Sequence, residues 1–326
     1  MATRPTLRKG SKGGEVFTLQ TSLGIKPIDG DFGSITENAV KAKQRAYGLT
    51  ADGVVGPLTW AKIEAEYNLP PYEPPPAPPG GLSAQEITDI TTLARNSAIQ
   101  KYNWPGRGIM PPGCCKGLAV AYACAFRKYR AGHPAFREMA KANTHKSDTD
   151  VMAWEAGRFK AAGMDNEITD AATLRHLYAY IFGLSMRESS GRHCEGRDMS
   201  ASWTSGDTAE AGLLQTSWNI KSASPTLLAG LFNEYKAGAE GYQSIFKEGV
   251  YCSANSWKNW GSGEGVTYQK MSKEQPMFHV EVTAIGMRNR RKHWGPINRR
   301  DVAIRAEANQ LLYDVEDLLL GSVEVA

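Results

Sequence analysis

The chain has 326 residues, 38 Lys+Arg against 34 Asp+Glu, a net charge of +4 and 41% hydrophobic residues. That length fits about two domains rather than one small module, and the hydrophobic content excludes wholesale disorder. The small positive charge does not by itself point to nucleic acid, and no apolar run reaches the ~18 residues a membrane helix needs.

The N-terminus carries positive charge with no apolar stretch behind it, so no ordinary secretory signal is read there. The chain is therefore expected to act in the cytosol or to leave the cell by another route. Val16, Leu19, Gln20 and Leu23 suggest a first short helix. An internal repeat follows: residues 29–36 (DGDFGSIT) and 52–59 (DGVVGPLT) both read DGxxGxxT. Asp-Gly makes a turn, and the later Gly offers a second permissive backbone position. Thr36 and Thr59 are then expected to cap two helices, with Pro57 in the loop before the second cap. The module reads as three short helices with two look-alike loops.

These residues resemble the peptidoglycan-binding domain type 1, from Leu7 to Ile63 nearly without gaps. The resemblance implies a three-helix bundle with cell-wall peptidoglycan as its partner. Asp29, Phe32, Thr36, Asp52, Thr59 and Trp60 are its candidate wall-binding residues. Lys43 stands where the family usually has an aromatic residue before Gln44. No His precedes residue 133, so no zinc is expected in this module.

Residues 69–81 read LPPYEPPPAPPGG. Proline fixes φ and removes donors, so this run is expected to be an extended, semi-rigid spacer. It sets the domains as 1–68 and 83–326, with a linker at 69–82.

The long module reads as mainly α, with helices expected over 84–101, 116–130, 149–162, 171–189, 225–235, 277–292 and 301–319. Cys114 and Cys115 stand where a helix begins, and a helix N-terminus lowers a thiol pKa. The segment faintly resembles that of NlpC/P60 cysteine peptidases, but no Gly-His-apolar strand accompanies it. Residues 191–219 are polar and irregular, as functional loops often are, with a small β-hairpin expected near Gly212 to Ser217.

The helix 171–189 carries the central candidate. Leu174, Leu177, Ile181 and Leu184 follow 3-4-3 spacing, the mark of a buried face, and the next position on that stripe is Glu188. Desolvation and the negative end of the helix dipole both push such a carboxyl toward its neutral form. A carboxyl protonated near neutral pH is what a glycosidase general acid requires. The known instance of this logic is the lysozyme glutamate. The alternative is simple pairing with Arg187 or Arg192 at a frayed helix end.

Residues 186–191 (MRESSG) followed by 211–215 (AGLLQ) resemble the lysozyme-like superfamily, above all its lytic transglycosylase and goose-type lysozyme branch. The resemblance implies a lysozyme-like α domain whose Gly-Leu-Met-Gln-like strand lines a sugar cleft; Leu214 replaces the usual Met. It also implies cleavage of the MurNAc–GlcNAc β-1,4 bond. A lysozyme would leave a reducing end and a transglycosylase a 1,6-anhydro product. Glu195, Asp198, Asp207 and Glu210 are the possible second carboxylates, with Asp198 and then Asp207 preferred. Ser200, Gln215, Trp203 and Trp218 are candidate substrate contacts, since indoles pack on sugar C–H faces. Most tryptophans of a helical domain are core. The basic stretch 288–293 with Arg299, Arg300 and Arg305 reads as a solvated helix face rather than a nucleic-acid site.

An anchor followed by such a domain resembles endolysins of phages that infect Gram-negative bacteria. That implies synthesis in the host cytoplasm, release through a holin, and action on periplasmic peptidoglycan. A monomer is expected, with no cofactor, metal, nucleic acid or stable membrane association. A non-catalytic wall-binding or virion structural protein is the competing class. Cys194 and Cys252 border the loop and are candidates to pair in the periplasm.

Overall fold

A computed structural model describes residues 4, 6–11, 14–26, 28, 30–67, 69, 81–197 and 205–321. Asp29, Asp198, Ser200 and Trp203 lie outside the described residues, as does most of the proline run. The described chain is mainly helical, with one antiparallel pair of two-residue strands at Asn103–Trp104 and Gly108–Ile109. It divides into two compact units, Met1–Pro78 and Pro79–Ala326.

The small unit has helices at Gly14–Ser22, Ser34–Ala46 and Pro57–Tyr67. Leu7, Val16, Leu19, Phe32, Val40, Val55, Trp60 and Ile63 form its core. Leu7 pairs with Val55 in an antiparallel bridge. The repeat is built on two buried glutamines. Gln20 Oε1 accepts from Gly30 N (2.9 Å), and its amide donates to Asp31 O and Thr36 Oγ1, both at 3.1 Å. Gln44 does the same one repeat later: Oε1 accepts from Gly53 N (2.9 Å), and Nε2 donates to Val54 O (3.0 Å), Thr59 Oγ1 (3.2 Å) and Asp52 Oδ1 (2.8 Å). Each loop therefore has its buried polar groups bonded.

This corrects the capping expectation. The helices begin three residues earlier than those caps would place them, at Ser34 and Pro57, with Pro57 as the first helical residue. Gly33 precedes the first of them without a side-chain cap. Thr36 and Thr59 lie inside the first turn, where their hydroxyls serve the glutamines instead. Lys43 lies over the rings of Tyr47 (5.4 Å) and Tyr67 (5.2 Å) and pairs with Glu66, which replaces an aromatic contact with cation–π contacts.

In the large unit the helix Pro112–Arg130 is buried along nearly its whole length. Ala84–Asn96, Ala171–Ser189, Pro276–Asn289 and Ala306–Gly321 pack around it. The expected helix over 84–101 breaks at Ser97, which is extended (φ −66°, ψ 155°) and caps the next turn. The expected helix over 149–162 splits at Glu155, and Asp150 caps its first part. Glu264–Glu274 is a helix that apolar periodicity misses, because its buried face includes Gln269, Ser272 and Lys273.

The basic stretch is a solvated face only in part: Arg290, Lys292, Arg299 and Arg300 are exposed, but Arg288 and Arg291 are buried. Arg288 is buried and pairs with buried Asp150 at 3.2 Å. The guanidinium of Arg291 stacks 3.7 Å from the centre of the Trp154 ring, with Arg300 at 4.3 Å. Guanidinium planes stack well on indole, so these charges join the fold. Among the described residues no helix is long and apolar enough to cross a membrane.

Candidate active site

The helix Ala171–Ser189 runs over the expected span and starts at Asp170, whose side chain accepts from Thr173 N (2.9 Å). Leu174, Leu177, Ile181 and Leu184 are fully buried, but so are Tyr178, Tyr180, Phe182 and Met186 on other sides. It is a core helix rather than an amphipathic surface one. Its end is a left-handed cap at Ser190 (φ 52°, ψ 34°), with Ser190 N donating to Met186 O (3.2 Å) and Gly191 N to Ser185 O (3.1 Å).

Glu188 lies in this last turn, half-buried. Neither neighbouring arginine neutralises it by pairing: Arg187 binds Asp301 (3.3 Å) and Arg192 binds Glu195. Among the described residues none donates a hydrogen bond to its carboxyl. Burial, and then the charge of Glu210, push Glu188 up to about 8. Arg299, Arg107 and Arg187 pull the other way and are outweighed. The carboxyl is therefore neutral at pH 7 and carries a proton it can give away.

The segment that faces this helix end is a tight turn. Ala211 and Thr216 form an antiparallel bridge, and residues 212–215 turn between them. This single bridge is all of the hairpin expected from Gly212 to Ser217. Five hydrogen bonds fix it. Ser189 Oγ donates to Leu213 O at 2.7 Å, tying the turn to the residue after Glu188. Trp294 Nε1 donates to Leu214 O at 3.0 Å. Thr216 Oγ1 meets His279 Nε2 at 2.7 Å and also bonds the Tyr268 hydroxyl. Gly212 N donates to Glu195 O at 2.8 Å. Gly212 has φ +78°, and a Cβ there would lie 2.6 Å from His279 Nδ1, so no other residue fits without a shift. Burial holds His279 down at about 3, so it stays neutral in this contact.

The sequence candidates separate in space. Glu210 immediately precedes the bridge, and its charge bears on Glu188 more than any other. Asp207 instead lines a groove of about 350 Å³ with Ser205, Ser262 and Glu264. In the sequence Glu210 stands behind Asp198 and Asp207 as a candidate. The signal for it was its place next to the Ala-Gly-Leu-Leu-Gln turn that Ser189 holds. Gln215 is largely buried at φ 43°, and its amide donates to Gly212 O (2.9 Å), so that donor serves the turn itself. Trp218 is in the core, stacked on Phe232 (4.8 Å) and Tyr268 (5.3 Å), with Nε1 donating to Glu264 (3.2 Å). Little of its face is left for a sugar. In the small unit Phe32, Thr36, Thr59 and Trp60 are buried and build the bundle, while Asp52 is exposed.

Cys194 and Cys252 form a disulfide with Cα atoms 5.9 Å apart. With His193 they are the potential metal-ligand group found among the described residues, but the disulfide uses both thiols. Cys114 and Cys115 are buried, and burial pushes both up to about 12. Cys114 faces Ser185 Oγ (3.6 Å) and Cys115 donates to Ala94 O (3.6 Å). Thiols so placed are poor nucleophiles, which removes the support for a cysteine peptidase.

Residues 14–63 match the family described as "Putative peptidoglycan binding domain". The zinc D-Ala-D-Ala carboxypeptidase of Streptomyces albus G is 46% identical over 65 residues, covering 18% of this chain and 26% of that protein. An uncharacterized protein in the bpoA1 3'region of Kitasatospora aureofaciens is 40% identical over 68 residues, covering 19% of this chain and 58% of that one. The chain thus spans about a quarter and somewhat over half of the lengths of these relatives. The crystal structure of Burkholderia AP3 phage endolysin aligns over 96% of this chain and 100% of its own, at 14% identity and a TM-score of 0.19. A superposition that loose carries no argument about mechanism. The chain carries a peptidoglycan-binding domain at its N-terminus, which supports peptidoglycan as its partner.

Proposed function

We propose that the protein is a peptidoglycan glycosidase of the N-acetylmuramidase type, brought to the wall by its N-terminal unit. Glu188 protonates the oxygen of the MurNAc–GlcNAc β-1,4 bond. Glu210, as the second carboxyl group, stabilises the positive charge that develops on the sugar or activates the water that attacks it. The observation that carries this reading is the half-buried Glu188, which has no pairing partner among the described residues and which burial pushes up to about 8. The peptidoglycan-binding match supplies the polymer. In the setting this reading favours, the enzyme is made in a host cytoplasm and reaches the periplasmic wall during lysis.

The test is product analysis on purified peptidoglycan. Release of reducing-end MurNAc supports the muramidase, and a 1,6-anhydro product would reassign the enzyme as a transglycosylase. Glu188→Gln is expected to lower the rate by about a thousandfold, as loss of a general acid does. Activity is expected to fall as pH rises through about 8, where Glu188 loses its proton. Lysis by Glu188→Gln at the wild-type rate would end the proposal.

A further inference from the structure

Four residues beyond Glu188 the chain enters a second concave region. A cavity of about 380 Å³ opens between residues 192–197 and 253–260, with Arg192, Glu195, Arg197, Asn255, Lys258 and Trp260 among its lining. Its two walls are distant in sequence; a disulfide joins them, and buried side chains hold the far wall in place. The Cys194–Cys252 disulfide links them at one end. Lys273, buried beneath, donates to Ser256 O (3.0 Å) and Lys258 O (2.9 Å). Gln269 accepts from Trp260 N and donates to Trp260 O, both at 2.9 Å. Arg192 Nε donates to Ser189 O (3.3 Å), so the near wall continues directly from the end of the glutamate helix.

Among the described residues the lining carries more positive than negative charge. Three cationic side chains, Arg192, Arg197 and Lys258, face one carboxylate, Glu195, which pairs with Arg192. Arg197 lies 5.0 Å over the Trp260 ring. Lys258 is exposed, and among the described residues no carboxylate pairs with it. A neutral sugar calls for aromatic faces and amides, whereas this cavity offers an excess of cations around one indole. In intact peptidoglycan the muramic acid carboxyl is consumed in an amide bond, so the negative charge of the polymer sits on the carboxylates of its peptide branches. Those branches leave the sugar on one side of the bond assigned to Glu188.

We infer that this cavity is a subsite for the carboxylate-bearing peptide branch of peptidoglycan, positioned to select peptide-substituted glycan over bare glycan. The inference rests on the glycosidase reading for its location but makes a separate claim about binding. Arg192 and Lys258 meet peptide carboxylates, and Trp260 packs on the apolar part of the branch.

The test titrates the full-length Glu188→Gln protein, which cannot turn its ligand over, with two soluble fragments: a GlcNAc–MurNAc disaccharide bearing its peptide and the same disaccharide without it. The peptide-bearing fragment is expected to bind about tenfold more tightly, by a gap that shrinks with salt. Lys258→Glu, a change at an exposed position, is expected to close that gap while leaving binding of the bare fragment unchanged. Equal affinities for the two fragments would overturn the inference. So would a gap that Lys258→Glu leaves intact, since peptide recognition would then lie elsewhere. Wall lysis by the unsubstituted protein, measured in parallel, separates the two claims. Lysis with equal affinities rejects the subsite alone; a Lys258-dependent gap without lysis supports the subsite and rejects the glycosidase.

Discussion

Gln20 and Gln44 in the small unit and Glu188 in the large one are all polar side chains carried toward the protein interior, and they end in opposite states. Each glutamine has both ends of its amide bonded, to a glycine N–H on one side and to carbonyl and hydroxyl oxygens on the other. Glu188 has no hydrogen-bond donor among the described residues and keeps its proton instead. The first arrangement stabilises a fold, because satisfied buried groups specify one loop geometry. The second costs stability and leaves a reactive group unspent, which is how active sites commonly differ from scaffolds.

Swapping carboxamide and carboxylate at the two places is the sharpest way to probe this contrast, because the shape hardly changes. Gln44→Glu removes the donor that serves Val54 O, Thr59 and Asp52, and sets a second carboxylate against Asp52. An unpaired buried charge of this kind costs about 3–5 kcal/mol. The small unit is expected to melt at ambient temperature and to lose its wall binding in a sedimentation assay. If the variant kept wild-type stability, the glutamine contacts would not be what holds the repeat.

Glu188→Gln runs in the opposite direction. Glu188 is raised in the folded state from 4.5 to about 8. Below about pH 4.5 folded and unfolded chains both hold the proton, and the site costs nothing. Between 4.5 and 8 only the folded chain holds it, so stability declines as pH rises, and the full cost is present above 8. The glutamine variant is thus expected to be more stable by about 3 kcal/mol at neutral pH. Its advantage should vanish in acid, as chemical denaturation at two pH values would show. A pH-independent difference would mean that packing rather than ionisation separates the two proteins.

Ser189→Ala tests the junction between helix and turn. It removes the bond to Leu213 O, at a cost of about 1 kcal/mol. Because that bond also holds the turn after Glu210 at the end of the Glu188 helix, turnover is expected to fall by about tenfold, less than losing an acid–base group itself would cost. A loss of stability with full activity would show that the turn is held without Ser189.

What could be read from the sequence followed from patterns that hydrophobicity reveals. The helix 171–189 and the position of Glu188 on it were legible because four apolar residues at 3-4-3 spacing run straight to the carboxylate. The small unit was legible because Asp-Gly turns repeat with a fixed spacing. The features that escaped reading are polar and nonlocal. Helix Glu264–Glu274 hides because its inward face is held by the Gln269 amide and the Lys273 ammonium. Thr36 and Thr59 look like caps until the partner glutamines, distant in sequence, are placed beside them. The influence of Glu210 on Glu188 is equally nonlocal, since nothing in the sequence says which loop carboxylates come near that helix end. Arg288 and Arg291 look solvated because charge is usually exposed, and only the fold brings Asp150 and Trp154 to them.

The central claim is that Glu188 is a protonated acid at the pH where the wall is cut. Carbon-13 NMR of the side-chain carboxyl, assigned by its loss in Glu188→Gln, follows that proton directly. The account predicts a titration midpoint of about 8 for Glu188. A midpoint near the ordinary 4.5 would contradict it, because the group would then be ionised at neutral pH with no proton to donate.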